Sequence, residues 1–207
     1  MLLRGTQKFL TELRIKKSEI AEDFGALHPL DEWYAHVFFL YPRRKSAIFM
    51  HASTGFCFFT FDRTRDQFND IKSLFRKCLG RTLFDEHYPA SVIKLFNAHL
   101  ENIQIGRTID RKVVSLINRR VFELQCLGDY HPDDRRVHDE HLAGLDFRRE
   151  LTLKDSRYPI ERMRDLLENL DELTGVEKPP AKEKHEVLEA FLETLRRDRQ
   201  ANVPVGH

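Results

Sequence analysis

The run Trp33-Tyr34-Ala35-His36-Val37-Phe38-Phe39-Leu40-Tyr41 is followed by Pro42-Arg43-Arg44-Lys45, by Ser46-Ala47-Ile48-Phe49-Met50-His51, by a turn, and by Phe56-Cys57-Phe58-Phe59-Thr60-Phe61. Ten of the 29 residues from 33 to 61 are aromatic. Aromatic and β-branched side chains fit the pleated surface of a strand, and the two polar interruptions carry turn residues. The spacing predicts a compact three-stranded antiparallel meander over about 33–61. In its first strand Trp33, Ala35, Val37 and Phe39 point one way, and Tyr34, His36, Phe38 and Leu40 the other. Both sets are largely apolar, so helices should cover both faces, or an oligomer interface should cover one.

Outward from the meander the chain reads as helices. Thr6 is a good N-cap, with Phe9, Leu10 and Leu13 on one face of the helix that follows. Residues 15–31 suit a loop. Asp66 opens a helix carrying Phe68, Ile71, Leu74, Phe75 and Leu79, with Gly80 at its expected stop. A second helix is predicted over about 90–100, and a short strand over 102–107. Asp110 caps a long helix to about Leu127. The stretch 128–144 reads as a charged loop, and Phe147, Leu151 and Leu153 as a last strand. Pro159 suits the first position of another helix. The fold class expected is α+β: an antiparallel sheet packed with amphipathic helices, joined by short strands near residues 2, 105 and 151. The organisation expected is one domain over 1–174, a Pro-rich linker over 175–181, and a C-terminal amphipathic helix and tail over 182–207.

The chain has 207 residues, 41% of them hydrophobic and 32% charged, so it can bury a core without staples. A net charge of +1 gives no whole-molecule attraction to nucleic acid or membrane, and electrostatic binding must come from a local patch. Cys57, Cys78 and Cys126 share no metal or redox spacing and read as reduced thiols. With no signal-peptide core at the N-terminus and no membrane-length apolar run, the expectation is a cytoplasmic protein without a membrane partner.

Residues 104–120 are the best candidate for chemistry. A strand ends, a turn follows, and a helix begins at a terminus whose free N–H groups favour anions. Arg107, Arg111 and Lys112 add charge there. Arg111, Ser115 and Asn118 share a helical face. With Thr108 these residues suggest a phosphate or carboxylate site, unless the stripe is a solvated face or Arg111 meets an internal carboxylate. The turn Arg43-Arg44-Lys45 is a second basic cluster that could contact a nucleic-acid backbone beside aromatics, or simply keep a hairpin soluble.

These pieces together resemble a family of small bacterial proteins known only as a domain of unknown function. The resemblance rests on the opening Met1-Leu2-Leu3-Arg4-Gly5-Thr6-Gln7-Lys8, on Trp33-Tyr34-Ala35, on Arg43-Arg44-Lys45, and on Thr108-x-x-Arg111 with Asn118. It spans residues 1 to about 125. Members often carry His directly after the Trp; here Tyr34 takes that place and His36 follows. The resemblance implies positions of interest and no activity, cofactor or substrate.

A third cluster holds His131, His138 and His141 among Asp133, Asp134, Asp139 and Glu140. It could share a metal on a helical turn, but it matches no zinc signature, and Arg135 and Arg136 would repel a cation. No cofactor is expected. Three functions are open. The first is binding of RNA or a nucleotide at the 107–118 turn. The second is phosphodiester hydrolysis with His36 or His51 as general base. The third is a protein-interaction module, part of a bacterial two-protein system, that docks a partner through the C-terminal helix.

Overall fold

A computed structural model describes residues 1–22, 27–41, 44–149 and 157–174. The described elements run β1 (Leu2–Gly5), α1 (Gln7–Glu12), β2 (Glu32–Tyr41), β3 (Arg44–His51), β4 (Cys57–Arg63), α2 (Arg65–Asn69), α3 (Ile71–Asp85), α4 (Ala90–His99), β5 (Gln104–Arg107), α5 (Arg111–Tyr130), α6 (Glu140–Arg148) and α7 (Pro159–Thr174). The expected linker, C-terminal helix and strand near 151 lie outside the described residues.

The meander is present, with β2–β3 and β3–β4 antiparallel. The sheet as a whole is mixed rather than antiparallel. Its order is β4-β3-β2-β1-β5, and β1 runs parallel to both β2 and β5. The reason is connectivity. Hairpins join antiparallel neighbours, whereas β1 reaches β2 through α1 and a long loop, and β4 reaches β5 through three helices. Strands of four residues carry no directional signal of their own.

Both faces of the sheet are covered by helices of the same chain. On one face Leu3, Trp33, Ala35, Val37, Phe49 and Phe58 pack with α1, α3, α4 and α7. Trp33 is fully buried there, with the Phe75 ring at 5.4 Å and the Phe58 ring at 5.8 Å. Its indole N–H donates to Leu30 O at 3.0 Å. On the other face Tyr34, Phe38, Ile48, Met50, Phe59 and Phe61 pack against α5 and α6. The result is a three-layer α/β/α arrangement.

Local signals set most helix starts. The Thr6 hydroxyl accepts from Phe9 N–H at 3.3 Å, the Asp110 carboxylate accepts from Lys112 N–H at 2.7 Å, and Pro159 opens α7. Three expectations are corrected. The helix expected from Asp66 is two: Thr64 and Gln67 form a capping box at α2, and Asp70 then leaves the helical region and caps α3. Gly80 does not stop α3, because burial of Leu79, Thr82 and Leu83 carries the helix past it. The expected loop over 128–144 contains the end of α5, a 3₁₀ turn at Arg135–Val137 and the start of α6. Phe147, expected in a strand, lies in α6 with its ring 5.5 Å from that of Phe59.

Polar anchors hold α6 on the sheet. Glu140 accepts from Phe61 N–H at 2.6 Å and from Arg63 Nη2 at 2.7 Å. At the other end Arg148, 1% exposed, donates to Glu86 Oε1 at 2.8 Å and to Cys57 O at 2.9 Å. A Cβ on Gly144 would lie 2.2 Å from Arg148 Nη1, so the guanidinium occupies space that only glycine leaves. Among the described residues no helix is long and apolar enough to cross a membrane.

Candidate functional site

Strand β5 ends at Arg107, and Thr108, Ile109 and Asp110 lead into α5. This turn lies at the carboxyl end of the parallel pair β1–β5, the end at which ligand crevices form in parallel sheets. Two contacts fix it to the sheet. The Asp110 N–H donates to the Tyr34 hydroxyl at 3.2 Å. Arg4, 8% exposed and ion-paired with Glu32, donates through Nη1 to Arg107 O at 3.1 Å. Burial pushes the Tyr34 hydroxyl pKa up, against the Asp110 N–H bond, which lowers it.

Thr108, Ile109, Asp110, Arg111, Val114, Ser115 and Asn118 line an open groove of about 290 Å³. Four of the residues singled out in the sequence, Thr108, Arg111, Ser115 and Asn118, therefore share one surface. Arg107 is exposed at the strand end beside it and is not part of its lining. Arg111, Ser115 and Asn118 are solvent-facing. The helix terminus is not vacant, because Asp110 caps it and puts a negative charge among the three cations Arg107, Arg111 and Lys112. An anion here meets side-chain guanidinium and ammonium groups more than backbone N–H.

The sequence reading missed Phe122. It lies eleven positions after Arg111, on the stripe of Arg111, Ser115 and Asn118, and is 65% exposed. Ile109, 69% exposed, flanks the same stripe at the groove. Residue type alone does not separate an exposed phenylalanine from a core one. The signal was available only as helical phase: Phe122 falls out of step with the buried Ile117, Val121 and Leu124.

The other candidates are not assembled with the groove. Arg43 lies outside the described residues, and Arg44 is placed as the backbone partner of Tyr41. Lys45 pairs with Glu12 of α1 at 2.6 Å. His51 is fully buried on the far face, beside Trp33. Its Nε2–H donates to Pro29 O at 3.0 Å, and its Nδ1 accepts from the Thr54 hydroxyl at 2.9 Å. Burial lowers its pKa to about 4, so it is a neutral structural histidine with no free nitrogen. His36 lies one same-face position beyond Tyr34, with Nδ1 2.9 Å from the Thr6 hydroxyl. Burial, with the Lys8 charge adding to it, lowers its pKa to about 4.

The histidines of the 131–141 segment do not converge. His138 Nε2 bonds Pro132 O at 2.7 Å, and His141 sits in α6 with Nδ1 3.3 Å from Asp85. The 3₁₀ turn and the α6 N-cap at Asp139 separate residues that a single helical turn would have grouped.

Comparison with known families matches residues 2–162 to the family described as "Domain of unknown function (DUF6933)". The match covers well over half of the chain, which therefore belongs to that family. No curated protein and no solved structure matches it.

Proposed function

We propose that this member of the family binds a phosphate-bearing ligand along the outer face of α5, with single-stranded RNA as the ligand class the geometry favours. The observation that carries the reading is the continuous stripe Arg111-Ser115-Asn118-Phe122, which begins in the groove and ends on an exposed aromatic ring. Cations track a backbone, hydroxyl and amide groups bond phosphate or ribose, and an exposed ring stacks a base. Arg111 and Phe122 are about 16 Å apart along the axis, at 1.5 Å per residue, which suits a run of nucleotides better than one. The groove is open, which suits a strand laid across it better than an enclosed small molecule. Gln125 donates to Phe39 O at 3.0 Å, which ties the far half of α5 to β2.

The test is fluorescence anisotropy of mixed-sequence single-stranded RNA at low and moderate salt. Wild type should bind with affinity that falls as salt rises. Arg111→Ala should weaken binding and flatten the salt slope, and Phe122→Ala should cost about 1–3 kcal/mol with little change in slope. Absence of binding by a folded wild type sinks the reading. Phosphodiester hydrolysis has less support, because His51 is enclosed and His36 is engaged with Thr6. Docking through residues 182–207 falls outside the described residues.

A further inference from the structure

We infer that His28, Asp31 and His99 form a binding site for a divalent first-row transition-metal ion, with zinc(II) as the ion to test first. One ligand atom from each of the three lies within 4.8 Å of the others. His99 Nδ1 is 2.7 Å from Asp31 Oδ1, and the His28 and His99 ring centroids are 4.5 Å apart. All three residues are half-buried.

The backbone that carries two of these ligands is clamped. Asp31 N–H donates to His28 O at 2.8 Å and closes the turn. Within it Pro29 O accepts from His51, and Leu30 O accepts from the Trp33 indole. Asp31 O accepts from Leu2 N–H at 2.7 Å. His99, the last residue of α4, supplies the third ligand from an independent element. Side chains fixed in this way lose little freedom on binding an ion.

The donor set points to a class of ion. Two imidazoles and a carboxylate suit zinc or iron(II), whereas magnesium and calcium prefer oxygen throughout. His99 turns Nδ1 toward the carboxylate, so an ion shared with Asp31 takes Nδ1 as its ligand and replaces the proton of that bond. The structural alternative is two separate bonds, His99 Nδ1 to Asp31 Oδ1 and Leu30 N–H to His28 Nδ1 at 3.3 Å. It gives no reason for the two imidazoles to lie with their centroids 4.5 Å apart, which a shared cation does. Three protein ligands leave one tetrahedral position for water.

This site does not depend on the RNA reading. It lies where β1 and β5 begin, next to the Leu2–Asp31 and Gln104–Met1 backbone bonds, whereas the groove lies where the same strands end. Phosphate binding could fail and leave it untouched.

The test uses the full chain, stripped with a chelator and titrated with zinc(II) by calorimetry. Wild type should bind one equivalent. His99→Ala and His28→Gln should each weaken that binding by more than roughly 100-fold, the upper range for merely losing a partner of a ligand. His138→Ala should bind as wild type does. Unfolding midpoints measured without metal establish that the variants fold, and two variants on separate elements guard against one that does not. Cobalt(II) loading should give the intense visible bands of a four-coordinate ion in wild type and not in His28→Gln. Absence of stoichiometric zinc in wild type, or unchanged affinity in folded His28→Gln, overturns the inference.

Discussion

Burial keeps the His51 ring neutral, with Nε2–H donating to Pro29 O and Nδ1 facing the Thr54 hydroxyl. Its folded pKa of about 4 lies below the ordinary value of 6.5. The unfolded chain therefore binds the extra proton first. The stability His51 contributes is complete above about pH 6.5 and is lost as pH falls toward 4, by about 3 kcal/mol in all. Urea unfolding at pH 7 and pH 5 should show the midpoint falling, and the fall should shrink in His51→Gln; a midpoint unchanged between the two pH values contradicts this account. A second residue-scale prediction concerns Gly144. Its missing Cβ leaves room for the Arg148 guanidinium, which Glu86 and Cys57 O hold in place. Gly144→Ala should cost about 1–3 kcal/mol despite the better helix propensity of alanine, read as a lower denaturant midpoint. Neither Arg148 nor Glu86 stands out in the sequence. Each looks like one more surface charge until α6 is brought onto β4.

Helix α3 shows which local signals can be trusted. Gly80 lies inside it, and a Cβ there would meet nothing within 4 Å. Gly80→Ala should therefore stabilise the protein by about 0.5–1 kcal/mol, visible as a raised melting temperature. The caps at Thr6 and Asp110 and the Pro159 start were legible because a cap is a contact between residues two or three apart. The end of α3 was not, because the buried contact of Leu83 with the sheet-face core overrides the glycine signal. Helix α6 was illegible for a related reason: its anchors, Glu140 and Arg148, are charged residues paired across the chain. At the start of α5 the cap residue Asp110 is tied to the sheet by the Tyr34 hydroxyl. Tyr34→Phe should cost about 1 kcal/mol by removing the acceptor for Asp110 N–H. Hydrogen exchange at Asp110 should rise first, ahead of the rest of α5.

Across the whole molecule the meander and the two-sided covering could be read in advance, since alternation within β2 already showed two apolar faces. The candidate groove was legible as a strand, a turn and a polar helical stripe close in sequence. Its capping carboxylate and its exposed Phe122 needed the helical phase that packing sets. The direction of β1 and β5 was not written locally at all. The same contrast bears on the limits of the fold. The family match ends at 162, yet Met163, Leu167 and Leu170 of α7 are buried in the core beyond that point. Each such side chain is worth about 1.5–3 kcal/mol of burial. A fragment ending at 162 should therefore lose several kcal/mol relative to one ending at 174. Denaturant titration of the two fragments checks this, and equal midpoints would show that α7 contributes nothing beyond its first turn.

The place of β1 in the sheet also bears on synthesis. It is flanked by β2, which ends at Tyr41, and by β5, which starts at Gln104. A growing chain can dock β1 on β2 early, but its other edge has no partner until β5 leaves the ribosome. At about 5–20 residues per second that interval lasts on the order of several seconds. During it the nascent protein presents an unpaired parallel edge and an uncovered Leu3, which makes this the window in which a chaperone, or a neighbouring nascent chain, competes with the native partner.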